Sequence, residues 1–468
     1  MWVSPGLYVD LYQLRMMQGY FLSKKHEVEA TFDYFFRANP FGGGYVVTAG
    51  LQDVLSAITG ELFDSADLSY LQENDFEAEF IEYLRTLRFT GSIFAVKEGD
   101  VVFPGTVVIK VVAPILQAQW VETLLLNIVN FQSLIATKSA RMIDAAQGRD
   151  VIDFGMRRAQ GLGSISASRA AVIGGCVGTS NVAAAEKYNI PAIGTMSHSW
   201  VQSFDCELDA FKMFADVYGS GTVLLVDTYD TLSSGVPNAI KVALYLQSRG
   251  LCLQGIRLDS GDLAYLSKSA RAQLDQAGFP EVKIIVSNQL DEFLIDSLLR
   301  QEAPIDVFAV GTKLVTGDMS PALDGVYKLS EFDNTPRIKI SNNTAKITLP
   351  GKKEMHRYSN HDGFFVADVI SLQSEAEISV MTHPVYPMKK FNLDGLQSES
   401  LLHPVMQNGS VCVEVLSVAQ IAKWSLSRRK FLGDEYRRVD NPHTYKVGVS
   451  SKLLSLRDEM LANAKAKA

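Results

Sequence analysis

Between residues 150 and about 317, seven short apolar runs follow one another: VIDFG, GCVGTS, PAIGTM, TVLLVDT, GIRLD, VKIIVSN and DVFAVGT. Amphipathic helical stretches separate most of them, such as AIKVALYLQSRG (239–250) and AQLDQAGFP (272–280). Strands that alternate with helices build parallel βαβ units, because each helix must cross back over the sheet before the next strand can run in the same direction. Seven in series predict a closed barrel or an open doubly wound sheet, and the barrel, in an irregular form, is the favoured reading.

The chain has 468 residues, more than one core accommodates. Residues 91–114, GSIFAVKEGDVVFPGTVVIKVVAP, alternate short strands with Glu-Gly-Asp and Pro-Gly turns and predict a small antiparallel module. Residues 116–143 predict a long, mostly apolar helix, and GGG within 35–51 marks a tight turn or a close approach of backbone to ligand. Beyond residue 340 come a β-rich piece, GFFVADVISL, and a closing helix, SSKLLSLRDEML. The expected fold is α/β: an irregular parallel α/β barrel with an additional α+β domain built from the N-terminal and C-terminal regions. The expected segments are 1–145 (α+β, with the β module), 146–335 (barrel and active site) and 336–468 (α+β, packing with the first).

A net charge of −8 disfavours a general nucleic-acid binder. Four scattered cysteines form neither a disulfide framework nor a zinc site, so a reducing cytoplasm is expected, and no residue is singled out as a protein ligand to a metal. No apolar run reaches the ~20 residues of a membrane span, and the first residues lack the basic start and apolar stretch of a signal peptide.

In a parallel barrel the active site lies at the carboxyl ends of the strands. In this chain those ends carry Phe154, Arg157 and Arg158; Thr179, Ser180 and Asn181; His198; Asp227, Thr228 and Asp230; Arg257, Asp259 and Asp262; Ser287, Asn288 and Gln289; and Gly311, Thr312 and Lys313. Each has an ordinary alternative. Ser197 or Ser199 suits a helix N-cap, the aspartates suit caps, and the arginines suit a solvated face. Together they make a polar rim suited to a phosphorylated sugar: arginine forks for phosphate, carboxylates for ribose hydroxyls or hydrated magnesium, and Gly-Thr turns that offer backbone N–H groups. The residues alone therefore predict an enzyme acting on an anionic, phosphorylated small molecule. A barrel aldolase would need a Schiff-base lysine, for which Lys313 is the one strand-end candidate, and a non-catalytic scaffold would not need the rim.

DLYQLRM (10–16), FFRANPFGGGY (35–45), DFGMRRAQG (153–161), GTSNV (178–182), GTMSHSW (194–200), RLDSGDL (257–263), VGTKLVTG (310–317) and GVYKL (325–329) occur in that order. As a set they resemble the nicotinate phosphoribosyltransferase family, from about residue 7 to NPHTYKV (441–447). Ser197 stands where alanine is common in that family, and Arg15 where threonine is common. The resemblance implies that nicotinate and phosphoribosyl pyrophosphate give nicotinate mononucleotide and pyrophosphate, with Mg2+ as cofactor and ATP hydrolysis coupled through a phosphorylated histidine, His198. It implies Arg257 and Asp259 against the phosphoribosyl group and Gly311 and Thr312 at its 5′-phosphate, with Ser287 and Asn288 also at phosphate. Asp230 is expected to orient His198, and Phe154 to stack on the pyridine ring. Tyr12 and Arg37 are expected to reach in from a second subunit of a head-to-tail homodimer with shared sites. Ser180 stands where the nicotinamide-using relative has an aspartate, and with Arg157 it favours the acid. Nicotinamide phosphoribosyltransferase and a phosphate-binding barrel enzyme of another class are the alternatives.

Overall fold

The computed structural model describes residues 4–341, 346–375 and 377–467. They form two compact units. One comprises residues 1–134, 322–416 and 424–468, and the other comprises residues 135–321 and 417–423. The expected boundaries fall at 145/146 and 335/336; the units divide at 134/135 and 321/322.

The second unit is built on a parallel sheet with strands in the order Asp150–Asp153, Val307–Val310, Lys283–Val286, Gly255–Leu258 and Val223–Leu225. The last three residues of every one of these strands are buried, as expected of parallel strands covered on both faces. Helices return between them: Val236–Ser248, Leu263–Gln276 and Glu292–Arg300. Two of the expected strands do not form. GCVGTS and PAIGTM are joined to the row only by two isolated parallel bridges, Asp153 with Thr179 and Thr179 with Ala192. Gly178 and Gly194 favour no extended ladder, and Pro191 has no N–H to donate to one. The row nevertheless continues across seven positions, so all seven strand ends reach one rim.

Among the described residues the first unit holds a seven-stranded sheet, a six-stranded sheet and the short pair Val46–Val47 with Val101–Val102. Strand Glu29–Phe36 lies inside a seven-stranded antiparallel sheet, paired on one side with Gly325–Phe332 and on the other with Ile109–Pro114. Ser92–Ala95 continues that sheet and is joined by His403–Gln407 from far along the chain. The six-stranded sheet centres on Phe365–Leu372, which pairs antiparallel with Lys353–Ser359 and parallel with Lys446–Ser450. The predicted long helix spans Ile115–Ala145, and Trp120, Val121, Leu124 and Leu125 on it are fully buried. The closing helix is Ser451–Lys467. Arg357 is fully buried in this unit and is held by both oxygens of Asp368, at 2.9 and 2.8 Å, and by Asp100 at 3.1 Å. A buried guanidinium is tolerated only with such complete pairing.

Candidate active site

The rim starts at Asp153, the last residue of its strand and fully buried. One carboxylate oxygen accepts the Gly155 N–H at 2.8 Å, and the other accepts the hydroxyls of Ser168 and Thr179, each at 2.7 Å. The Ser180 N–H donates to the Asp153 carbonyl at 2.8 Å, and the Phe154 N–H to the Val310 carbonyl at 2.6 Å. One buried carboxylate thus fixes the turns that carry both Phe154 and Ser180. Gly155 is required where it stands, since a Cβ there would lie 2.1 Å from Val315 Cγ1. The helix Val182–Tyr188 is capped by Asn181, whose side chain accepts from the Ala184 N–H, so Ser180 is not its cap.

Arg257 ties the strand ends together. Its Nε donates to the Ser287 hydroxyl at 3.0 Å, Nη1 to the Thr195 hydroxyl at 2.8 Å, and Nη2 lies 3.1 Å from Asp259 Oδ1. Its guanidinium carbon sits 5.5 Å from the centre of the half-buried Phe154 ring, a cation–π distance. Ser287 also donates to Asp259. Burial pushes the Asp259 carboxyl up, but the Ser287 hydroxyl and the Arg257 charge outweigh it, with His198 adding to them, and hold the group below the usual carboxylate value. Asn288 and Gln289, just beyond, have φ of 88° and 50°. Two consecutive non-glycine residues in the left-handed region mark a constrained loop.

His198 opens the short helix His198–Gln202 at the position after Ser197, and its side chain is 40% exposed. Ser197 occupies the cap position without a side-chain cap bond, and its hydroxyl pairs with that of Ser199 at 2.6 Å. Imidazole Nδ1 is 3.1 Å from the Thr228 hydroxyl. Nε2 faces two carboxylates, Asp259 at 3.8 Å and Asp227 at 3.9 Å.

This arrangement corrects the expectation for Asp230, which does not approach His198. Its side chain accepts from the Leu232 and Ser233 N–H groups and caps the next helical turn, and the Ser233 hydroxyl, followed by these backbone bonds, lowers its pKa. The carboxylate of this loop that faces the imidazole is Asp227, three residues nearer the strand. Asp227 is almost fully buried; Oδ2 accepts from the Asp259 N–H at 2.9 Å and the Ser260 hydroxyl at 2.6 Å, while Oδ1 is buried with no hydrogen-bond partner. The sequence carried a usable signal: Asp227 is the first polar residue after a buried run, whereas Asp230 precedes a helix start. Asp153 and Thr195 were likewise not chosen from the sequence, and Thr228 was placed on the rim without a role.

The other candidates fall as follows. Arg157 is exposed in the turn Met156–Arg158. Gly311 ends the strand Val307–Val310, and Thr312 starts the short helix Thr312–Val315. Lys313 is paired with Asp318 at 2.5 Å, which raises its pKa and keeps it cationic, so it does not suit a Schiff base. Tyr12 and Arg37 belong to the first unit. Tyr12 lies on the helix Leu11–Leu22, half exposed, with its phenol pushed up to about 12 by burial and by Glu122. Arg37 Nη1 lies 3.7 Å from Asp324.

Among the described residues no group of three or more His, Cys, Asp or Glu is placed to hold a metal ion, and no helix is long and apolar enough to cross a membrane.

Comparison with known proteins covers nearly the whole chain. Residues 7–130 match the nicotinate phosphoribosyltransferase (NAPRTase) N-terminal domain, 150–362 the nicotinate phosphoribosyltransferase (NAPRTase) family, and 352–457 the nicotinate phosphoribosyltransferase C-terminal domain. The chain is 41% identical to nicotinate phosphoribosyltransferase of Bacillus subtilis (strain 168), over 99% of this chain and 96% of that protein. It is equally similar, at 41%, to nicotinate phosphoribosyltransferase pncB2 of Mycobacterium tuberculosis (strain H37Rv), over 96% and 92%. The crystal structure of human nicotinic acid phosphoribosyltransferase superposes with a TM-score of 0.84 at 29% identity, covering 97% of this chain and 99% of that one. The nicotinate-nucleotide pyrophosphorylase of Pyrococcus furiosus shares the fold, with a TM-score of 0.72 at 24% identity over 91% and 95%.

Proposed function

This chain belongs to the nicotinate phosphoribosyltransferase family, and from that membership we propose how its residues perform the reaction. The enzyme joins nicotinate to phosphoribosyl pyrophosphate and releases nicotinate mononucleotide and pyrophosphate. The bond from ribose C1 to the pyrophosphate oxygen breaks as the bond from C1 to the pyridine nitrogen forms. Positive charge develops on the ribose ring, so fixed charges and positioning carry the catalysis.

The observation that carries the reading is the joint geometry of His198, Asp227, Asp259 and Arg257 on one rim. Arg257 and Asp259 hold the phosphoribosyl group, Phe154 stacks on the pyridine, and Gly311, Thr312, Ser287 and Asn288 line the phosphates. Ser180 donates to the nicotinate carboxylate, and Arg157 adds positive potential. ATP is a co-substrate. With Nδ1–H donated to Thr228, Nε2 keeps its lone pair, attacks the γ-phosphorus and displaces ADP; water later releases phosphate from the histidine. Asp227 and Asp259 supply hard oxygen donors, and the unpaired Asp227 Oδ1 suits a hydrated Mg2+, so these two residues would hold the ion that neutralises the departing pyrophosphate. We read the seven-position row of strand ends as an irregular barrel, supported by the five parallel strands and the two bridges that extend them.

The site is shared in a homodimer, with Tyr12 and Arg37 supplied by the other copy. Supporting this is the exposed face of the helix Leu11–Leu22, where Leu11, Tyr12, Met16 and Leu22 are 53%, 48%, 38% and 55% exposed around Arg15. The test is to incubate the purified protein with nicotinate or nicotinamide, phosphoribosyl pyrophosphate and magnesium, with and without ATP. Nicotinate mononucleotide should form faster with ATP, and the amide should react poorly. Equal use of the amide would overturn the role given to Ser180.

A further inference from the structure

The first unit contains a cavity of about 850 Å³, and all of its lining residues belong to that unit. That volume lies within the range of sites for nucleotide-sized ligands, ~300–1,000 Å³. Its charge is at odds with the chain around it. The protein carries a net −8, yet this lining gathers Lys328, Lys353, Lys389, Lys390, Lys446 and Arg457 against one carboxylate, Asp33.

Two of the six cations are already engaged. Lys353 is buried, 2.8 Å from Asp33, and Arg457 is 2.8 Å from Asp458. Lys389, Lys390 and Lys446 are exposed and make no ion pair among the described residues. Like charges gathered this way repel one another unless an anion joins them. The rest of the wall is apolar and flat. Phe35 and Phe391 are half-buried, Lys446 Nζ sits 5.1 Å over the Phe391 ring, and Tyr445 stacks on Phe103 with centres 3.6 Å apart.

A second, independent feature points to a ligand. Asp33 is 3% exposed, and its Oδ1 is buried without a hydrogen-bond partner. An orphaned carboxylate oxygen on a cavity wall is costly unless something donates to it. On the same wall, His383 Nδ1 accepts from the Val385 and Tyr386 N–H groups at 3.1 Å each, which leaves the ring proton on Nε2 as a donor.

We propose that this cavity is a second nucleotide site, which takes a nucleoside triphosphate with its phosphates on Lys389, Lys390 and Lys446 and its base against Phe35, Phe391 and Tyr445. A ribose hydroxyl or an exocyclic amine donates to Asp33 Oδ1. The combination of a cationic end, an apolar planar wall and one acceptor separates this ligand class from a bare inorganic anion, which would use only the lysines. The site does not take part in the transfer chemistry, so it is a place for a nucleotide to act as an effector.

The test is isothermal titration of the full-length enzyme with magnesium-ATP, without other substrates. The wild type should show two classes of site, one on the barrel rim and one in this cavity. Lys389→Glu combined with Lys446→Glu reverses two exposed charges. It should weaken one class at least about tenfold. Arg257→Gln removes the guanidinium paired with Asp259, the carboxylate that faces the phosphoryl-accepting His198, and should weaken the other class. A lysine variant that titrates like the wild type overturns the proposal. If one class alone is found, and it responds to the lysines but not to Arg257→Gln, the cavity stands and the rim reading for ATP fails. Inorganic tripolyphosphate binding to the cavity as tightly as ATP would overturn the nucleotide assignment, because the apolar wall would then contribute nothing.

Discussion

At the scale of single residues, a side chain's distance from the strand end decides its role. Asp227 and Asp230 are both carboxylates after the same buried strand, but Asp227 is buried against the Asp259 backbone and faces His198, while Asp230 caps a turn in solvent. His198→Ala should abolish ATP hydrolysis and its stimulation of synthesis, while slow ATP-independent synthesis survives; acid-labile phosphate retained on the variant would contradict the assignment. Asp227→Asn should slow phosphorylation of His198 from labelled ATP at least about tenfold, whereas Asp230→Ala should lower Tm slightly and leave phosphorylation intact. The sequence pointed to His198, Arg257 and Asp259, and these three lie together on the rim. It did not decide between the two aspartates, since only packing distinguishes them. Ser180, freed from capping by Asn181, leads to a second expectation. Ser180→Asp would set like charge against nicotinate and remove a bond of about 1.5–3 kcal/mol. Turnover should fall roughly ten- to a hundredfold, with little change in KM for phosphoribosyl pyrophosphate.

At the scale of elements, five mostly apolar runs were legible as parallel strands because burial on both faces leaves few polar positions, and the buried exceptions, Asp153 and Arg257, belong to the rim. The two glycine- and proline-bearing runs were read as strands as well, but they pair only through the bridges at Thr179, and their place depends on Asp153. Asp259 shows how a strand end titrates. Its folded pKa lies below the unfolded value of about 3.9. It therefore stabilises the fold above that pH and loses its contribution as pH falls through the folded pKa. In urea denaturation, Asp259→Asn should be less stable than the wild type from pH 5 to 7, and the gap should close below about pH 4. Cys176 follows the helix Gly163–Gly174, buried beside the Ser139 hydroxyl at 3.3 Å, and burial pushes its thiol up to about 12. A thiol reagent at pH 8 should label the exposed Cys206, Cys252 and Cys412 and spare Cys176, as read by mass spectrometry of peptides.

At the scale of the whole molecule, the sequence indicated that the ends of the chain fold together, but not which strands meet. Strand Glu29–Phe36 pairs with Gly325–Phe332, and Ser92–Ala95 with His403–Gln407; no local pattern sets such registers. The basic cavity was equally hidden, because its lysines are spread from residue 328 to 446. A site shared between copies predicts complementation. Tyr12→Ala and Asp259→Ala should each be inactive alone, and mixing them under conditions of subunit exchange should restore part of the activity through dimers with one intact site; no recovery after demonstrated exchange would count against sharing. The same long-range pairing bears on how the protein is made. As the chain leaves the ribosome, every strand of the parallel sheet is available once residue 310 has emerged. The antiparallel sheet must wait for residue 332 to cover one side of Glu29–Phe36, and the six-stranded sheet waits for residue 450. The nascent polypeptide therefore carries an open, hydrophobic strand edge for most of its synthesis. A premature stop that removes only the last two elements would leave that half unfinished, so losing the tail should be as damaging to solubility as losing the beginning.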